Sequence, residues 1–139
     1  MHHRQNLINK ALAAPRNGAK VQEVLLQMVE AGAEQHVIPH LVAGMASKNG
    51  KQAAAAAKAA REAFVQLGAG RDSLVPACVD LFGSSHAAVR AEAILLARDL
   101  LLVLGPSISS HFDSLRPIQV VATLALIMPP CCYPSHRMR

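Results

Sequence analysis

The sequence predicts an all-α chain organised as a helical-repeat solenoid, and three observations carry that expectation. The 139 residues are 52% hydrophobic and 17% charged, which excludes wholesale disorder. There is no Trp, one Tyr and three Phe; Ala and Leu, both strong helix formers, dominate the apolar content. The β-branched and aromatic residues that strands favour are scarce outside short runs. The chain also repeats itself: Pro39–Gly68 aligns without gaps on Pro76–Gly105, at a period of 37 residues, with nine of thirty positions identical. That period suits a two-helix unit. Within each unit, apolar residues recur at three- and four-residue spacing, the signature of a helix with one buried stripe.

The elements follow in order. Residues 1–17 read as a basic segment outside the repeats and without order. A helix over about 18–31, within a half repeat at 18–32, carries Val21, Val24, Leu25, Met28 and Val29 on one side. It reads as the second half of a preceding unit. The first full repeat, 34–68, opens with a helix over about 34–46. The second, 71–105, opens with one over about 72–82. Pro39 and Pro76 are read as lying near the starts of these helices, where a missing N–H has no intrahelical partner to lose. Ser47-Lys48-Asn49-Gly50 and Gly83-Ser84-Ser85 form the turns, since Ser, Asn and Gly are residues that stop one helix and cap the next. The second helices, about 51–67 and 86–104, end at Gly68 and Gly105. Their stripes are Gln52, Ala56, Ala59, Ala60, Ala63 and Leu67 in one, Val89, Ala93, Leu96, Ala97, Leu100 and Leu104 in the other. A terminal helix is expected within 112–128, followed by a Pro/Cys tail at 129–139.

The net charge of +5 belongs to the ends of the chain. Residues 1–20 hold four basic residues and no acid, and 114–139 hold three and no acid, whereas 21–113 hold seven basic and nine acidic residues. A near-neutral folded part argues against nucleic acid as the partner, because such domains carry their charge on the folded face. The apolar runs Ile94–Leu104 and Ile118–Met128 fall short of the roughly 20 residues a bilayer needs. The N-terminus has neither the apolar stretch of a secretory signal nor the Arg and Ser content of a mitochondrial presequence.

No chemistry of catalysis is legible. There is no Gly-x-Ser-x-Gly, no phosphate-cradling Gly-rich loop and no carboxylate pair, so the chain reads as non-enzymatic, with no small-molecule substrate and no cofactor. His36 and His40 share a helical face, but no third and fourth ligands stand at a regular spacing, so no metal site is expected. Cys78 reads as a buried, inert thiol. The three Cys form neither a disulfide framework nor a zinc pattern.

At the turns, Lys48, Asn49 and Lys51 stand where a solenoid lines its loops along one edge, and a row of amines there suits an acidic protein surface. Arg61 and Arg98 occupy the same repeat position, each followed by an acid, and read as structural, together with Pro39, Pro76, Gly68 and Gly105.

Three segments resemble a known family. Ser84–Ala97 (SSHAAVRAEAILLA) is similar to the Ala-Val-Arg-x-Glu-Ala helix of the HEAT-repeat TOG domains found in XMAP215/Dis1 (ch-TOG) microtubule polymerases. Ser47–Lys51 (SKNGK) is similar to that family's Asn-Lys-Asn-Pro-Lys turn, and Leu115–Gln119 resembles its closing segment. Ser85 and Ala87 stand where the family carries basic side chains. The resemblance covers about residues 18–122 and implies the C-terminal half of a TOG domain, a HEAT-type partial domain of about two and a half repeats. It further implies αβ-tubulin or microtubules as partner, with Lys48, Asn49, Lys51, Ser85, His86 and Arg90 on the tubulin-binding edge. The implied setting is cytoplasmic and cytoskeletal, at microtubules and spindle poles, in support of plus-end growth and spindle organisation. Two other readings stand beside it: a general HEAT scaffold for another acidic protein, and a nucleic-acid-associated protein acting through its basic termini.

Overall fold

The computed structural model describes residues 2–105 and 110–111, with side-chain environments from residue 8 onward. The expected terminal helix at 112–128, the Leu115–Gln119 segment and the tail at 129–139 lie outside the described residues. Six α-helices follow one another among the described residues: α1 (His2–Ala13), α2 (Gly18–Met28), α3 (Glu34–Met45), α4 (Gly50–Leu67), α5 (Arg71–Leu81) and α6 (Ala87–Leu104). No strand occurs among the described residues. α3 packs on α4 and α5 on α6 as antiparallel hairpins, and the two hairpins stack through α3 against α5 and α4 against α6. This is the all-α HEAT-type arrangement that the 37-residue period predicts.

α4 is the centre of the stack. It meets α3, α6 and α1, and its buried positions are Ala53, Ala56, Ala57, Ala59, Ala60, Ala63 and Phe64. Small side chains on so many sides let several helices approach one axis, since interaxial distance is set by the residues at the contact. The predicted stripe holds in its middle, but Gln52 is only half-buried and Leu67 is exposed. α6 supplies the bulk: Val89, Ala93, Leu96, Ala97 and Leu100 are buried, while Leu104 at its end is half-buried. Cys78 lies in this core with its Sγ 3.3 Å from the Ala93 carbonyl oxygen. Burial there pushes the thiol's pKa well above its ordinary value, because the thiolate would lose its hydration.

Three features depart from the sequence expectation. Pro39 and Pro76 are each the sixth residue of their helix rather than part of its first turn. There the missing N–H withdraws the bond that the carbonyl of Gln35 or Asp72 would accept. Both prolines are exposed, as are Gln35 and Asp72, so water can take the place of the missing donor.

The second departure is the N-terminal segment. Residues 2–13 form α1, which packs on α4 more extensively than α2 does. Leu12 and Asn9 are buried, and Asn9 fits a socket made by two small residues: a Cβ on Gly44 would meet its Oδ1 at 2.6 Å and the Ala56 methyl at 3.0 Å. A polar knob in a small-residue hole leaves little hydrophobic pattern in the sequence.

The third is the junction of α2 and α3. α2 runs through a π-helical segment, Val29–Ala33, and breaks at Gly32, where φ is 95°. That left-handed conformation is open to Gly at no steric cost. α2 itself buries no residue. Its predicted apolar face is divided: Val21 and Leu25 are half-buried, whereas Val24 and Met28 are exposed, beside a groove of about 650 Å³ completed by Ile8, Val37, His36 and His40.

Candidate functional site

The two intra-repeat turns lie side by side, as stacking of equivalent hairpins requires. In the α3–α4 turn, Asn49 adopts an extended conformation and caps α4: its Oδ1 accepts from the Lys51 N–H at 3.0 Å and the Gln52 N–H at 3.4 Å. A cap of this kind contributes about 1 kcal/mol. Ser47 closes the turn from the other side, its Oγ accepting from the Asn49 N–H at 3.2 Å and donating to Gln52 Oε1 at 3.3 Å. The carboxamide oxygen of Asn49 is thus engaged in holding the helix start. Lys48 and Lys51 are exposed, with amines free to reach outward.

The α5–α6 turn is built differently. Ser84 Oγ accepts from the His86 N–H at 3.1 Å, and Arg90 Nη1 donates to the Ser84 carbonyl at 2.7 Å. Arg90 is half-buried in that bond and braces its own turn, on the edge where the resemblance places it. Ser85 is exposed at the tip. His86 holds the N-cap position of α6 but makes no side-chain cap bond there. Its ring reaches back across one repeat, with Nε2 3.3 Å from the Lys48 carbonyl oxygen. The ring lies so close to Gly50 that a Cβ at that position would fall 2.6 Å from its Cγ. Sequence reasoning placed Gly50 in the turn but missed its contact with His86, since a glycine at a helix start looks like ordinary turn chemistry.

Between α3 and α5, beside these turns, runs a cleft of about 480 Å³ walled by Val42, Met45, Ala77 and Leu81 with Asp80 among its lining residues. The edge is thus basic at Lys48 and Lys51 and carries a carboxylate one helix away.

Arg61 and Arg98 sit away from this edge, in a charge cluster joining α4 to α6. Arg61 Nε is 3.7 Å from Glu92 Oε2 and its Nη1 is 3.6 Å from Asp99 Oδ2, while Arg98 grips Asp99 Oδ1 at 2.8 and 2.9 Å. Glu62, the acid after Arg61, is a weaker partner at 4.0 Å. Arg61 therefore reaches the Asp99 that follows its own repeat equivalent, Arg98. Gly68 ends α4 in a left-handed conformation, and Gly105 ends α6 with φ 80°. At the opposite end of the hairpins from the basic turns, Glu34 Oε1 accepts from the Gly70 N–H at 2.8 Å, a second contact between repeats that the sequence did not disclose.

Among the described residues, no group of three or more His, Cys, Asp and Glu side chains is placed to hold a metal ion. His36 and His40 are both exposed at the α2 groove. No helix among the described residues is long and apolar enough to cross a membrane.

Two stacked hairpins, a turn of the Ser-Lys-Asn type and a second helix opening on Ala-Val-Arg are the features that comparison with known proteins can weigh. No curated protein and no solved structure matches the chain. A family model does: that of the XMAP215/Dis1/CLASP TOG domain, over residues 2–122. The match takes in α1, in keeping with its packing on α4. The chain belongs to the TOG domains of the XMAP215/Dis1/CLASP family, HEAT-repeat modules of tubulin-binding, microtubule-associated proteins.

Proposed function

We propose that the adjoining α3–α4 and α5–α6 turns are the tubulin-binding edge of this domain, and that the domain serves microtubule plus-end growth and spindle organisation. In this reading Lys48 and Lys51 meet acidic side chains of tubulin, Ser85 offers a hydroxyl beside them, and Asn49, His86 and Arg90 shape the turns. The carrying observation is that the two turns touch through His86 and Lys48 while both lysine amines remain exposed. Amines presented from a structured backbone steer association with an acidic surface, and that steering weakens as salt screens it.

Reversal of charge tests the reading. Exposed ion pairs contribute about 0.2–1 kcal/mol each, so a single Lys48→Ala change is expected to be nearly silent. Lys48→Glu together with Lys51→Glu removes two attractions and adds two repulsions, which is expected to weaken co-sedimentation with tubulin about ten-fold or more. Helical circular dichroism and melting temperature should stay near the wild-type values. The matched reversal Arg4→Glu with Lys10→Glu in α1 should leave binding intact. Loss of binding on the α1 reversal, with none on the turn reversal, would move the partner surface to the basic N-terminal helix.

A further inference from the structure

We infer that His86 is a positioning residue: it holds the Lys48–Lys51 turn in register with the Ser84–Ser85 turn, so that the turns of two repeats meet a partner as one preorganised surface. The inference rests on the tubulin reading of this edge and names the pair of residues, His86 and Gly50, that builds it.

The N-cap position of a helix ordinarily goes to a short polar side chain that turns back on its own helix. His86 has the extended backbone of an N-cap but no side-chain cap bond, and its ring is directed to the preceding repeat. With its Nε2 protonated, the imidazole donates to the Lys48 carbonyl at 3.3 Å. Its ring face closes on the first residue of α4. A Cβ at position 50 would stand 2.6 Å from Cγ, 2.7 Å from Nδ1 and 3.0 Å from Cδ2, all closer than real carbon contacts allow. Glycine is among the poorest helix formers, so its use as the first residue of α4 is intelligible as room for the ring. The contact clamps the turn from both sides: the carbonyl of Lys48 before the cap, and the Cα of Gly50 after it. Asn49, between them, is itself tied to Lys51 and Gln52. His86 therefore fixes where the two lysine stems leave the backbone, although it touches neither amine. Fixing the backbone in advance lowers the ordering cost that binding would otherwise carry.

Binding of αβ-tubulin by the full chain and amide hydrogen exchange form the two arms of the test. His86→Ala and Gly50→Ala are each expected to weaken tubulin binding about three- to ten-fold, the worth of one net hydrogen bond. The double variant should be no weaker than His86→Ala alone, since the methyl at position 50 has then nothing to displace. His86→Gln, which can still donate to the Lys48 carbonyl, should recover most of the binding. The deciding comparison uses a Lys48→Ala, Lys51→Ala background, in which adding His86→Ala should change nothing further. A full additional loss there would make His86 a direct contact and overturn the inference. The second arm needs no tubulin. The amides of Lys51, Gln52 and Ala53, which bond to Asn49, should exchange faster in His86→Ala and Gly50→Ala relative to the core amides of α4, beyond what a small drop in melting temperature accounts for. Unchanged exchange overturns the inference even if tubulin binding falls. Failure of the wild-type chain to bind tubulin would sink the functional reading alone, leaving the exchange result to decide the register.

Discussion

Phe64→Ala is expected to lower the unfolding free energy by about 3–5 kcal/mol, near the top of the range for a single core truncation. Phe64 is the largest fully buried side chain in the described structure, at 1% exposure. The severity comes from its surroundings on α4, where the buried neighbours are Ala57, Ala60 and Ala63. Alanine has no rotamers with which to move into a vacated space, so the cavity left behind stays open and its lining gains no new contacts. Phe64→Leu, which keeps most of the volume, should cost about 1–2 kcal/mol. Urea denaturation followed by helical circular dichroism measures both. A loss below about 1 kcal/mol for Phe64→Ala would mean that the helices around α4 slide to close the gap, against the close-packed core described here.

Arg61→Met should be the second severe change, at about 2–4 kcal/mol, a figure set by the cost of breaking a buried pair and lowered for partial exposure. The side chain is 16% exposed, and its partners Glu92 and Asp99 are 22% and 10% exposed. Breaking a well-buried pair by removing one partner costs about 3–5 kcal/mol, because a charge is left without compensation. Methionine preserves the apolar stem and isolates the acids. Two oxygens, Glu92 Oε2 and Asp99 Oδ2, already lack a hydrogen bond at their present separations from Arg61, so they have no second partner when it goes. Neutralising the acids in the same protein, with Glu92→Gln and Asp99→Asn, should restore much of the loss. An Arg61→Met variant as stable as wild type would show that Arg98 alone satisfies Asp99 and that Glu92 turns out to water.

How much of this was legible in the sequence depended on whether the interaction leaves a periodic trace. The hairpins did: nine identities at a 37-residue offset, with Gly68 and Gly105 closing both second helices, fixed the unit and its boundaries to within a residue or two. Arg61 and Arg98 were marked by the same repetition. Interactions that depend on shape left no such trace. Asn9 seated on Gly44, and His86 on Gly50, each pair a polar side chain with the absence of a side chain, and neither partner stands out by hydrophobicity. The basic character of α1 concealed a buried face whose described members are Leu12 and Asn9. At the turns, residue type marked the polar positions but not their division of labour. Asn49 and Arg90 each bond local backbone groups, which composition alone does not separate from exposed Lys48 and Lys51.

The bond between Glu34 and the Gly70 amide has a mechanical consequence when set against the bond between His86 and the Lys48 carbonyl. The first joins neighbouring repeats at one rim of the stack, the second at the opposite rim, like stitches along both hems of a folded cloth. Bending the stack toward either rim lengthens the stitch on the other, and twisting one hairpin over the next shears both. Load applied along the axis is therefore shared between these two polar links at the rims and the Arg61–Glu92 and Arg61–Asp99 pairs that join the same two repeats. Cutting one rim alone would turn a stiff brace into a hinge that opens on one side only.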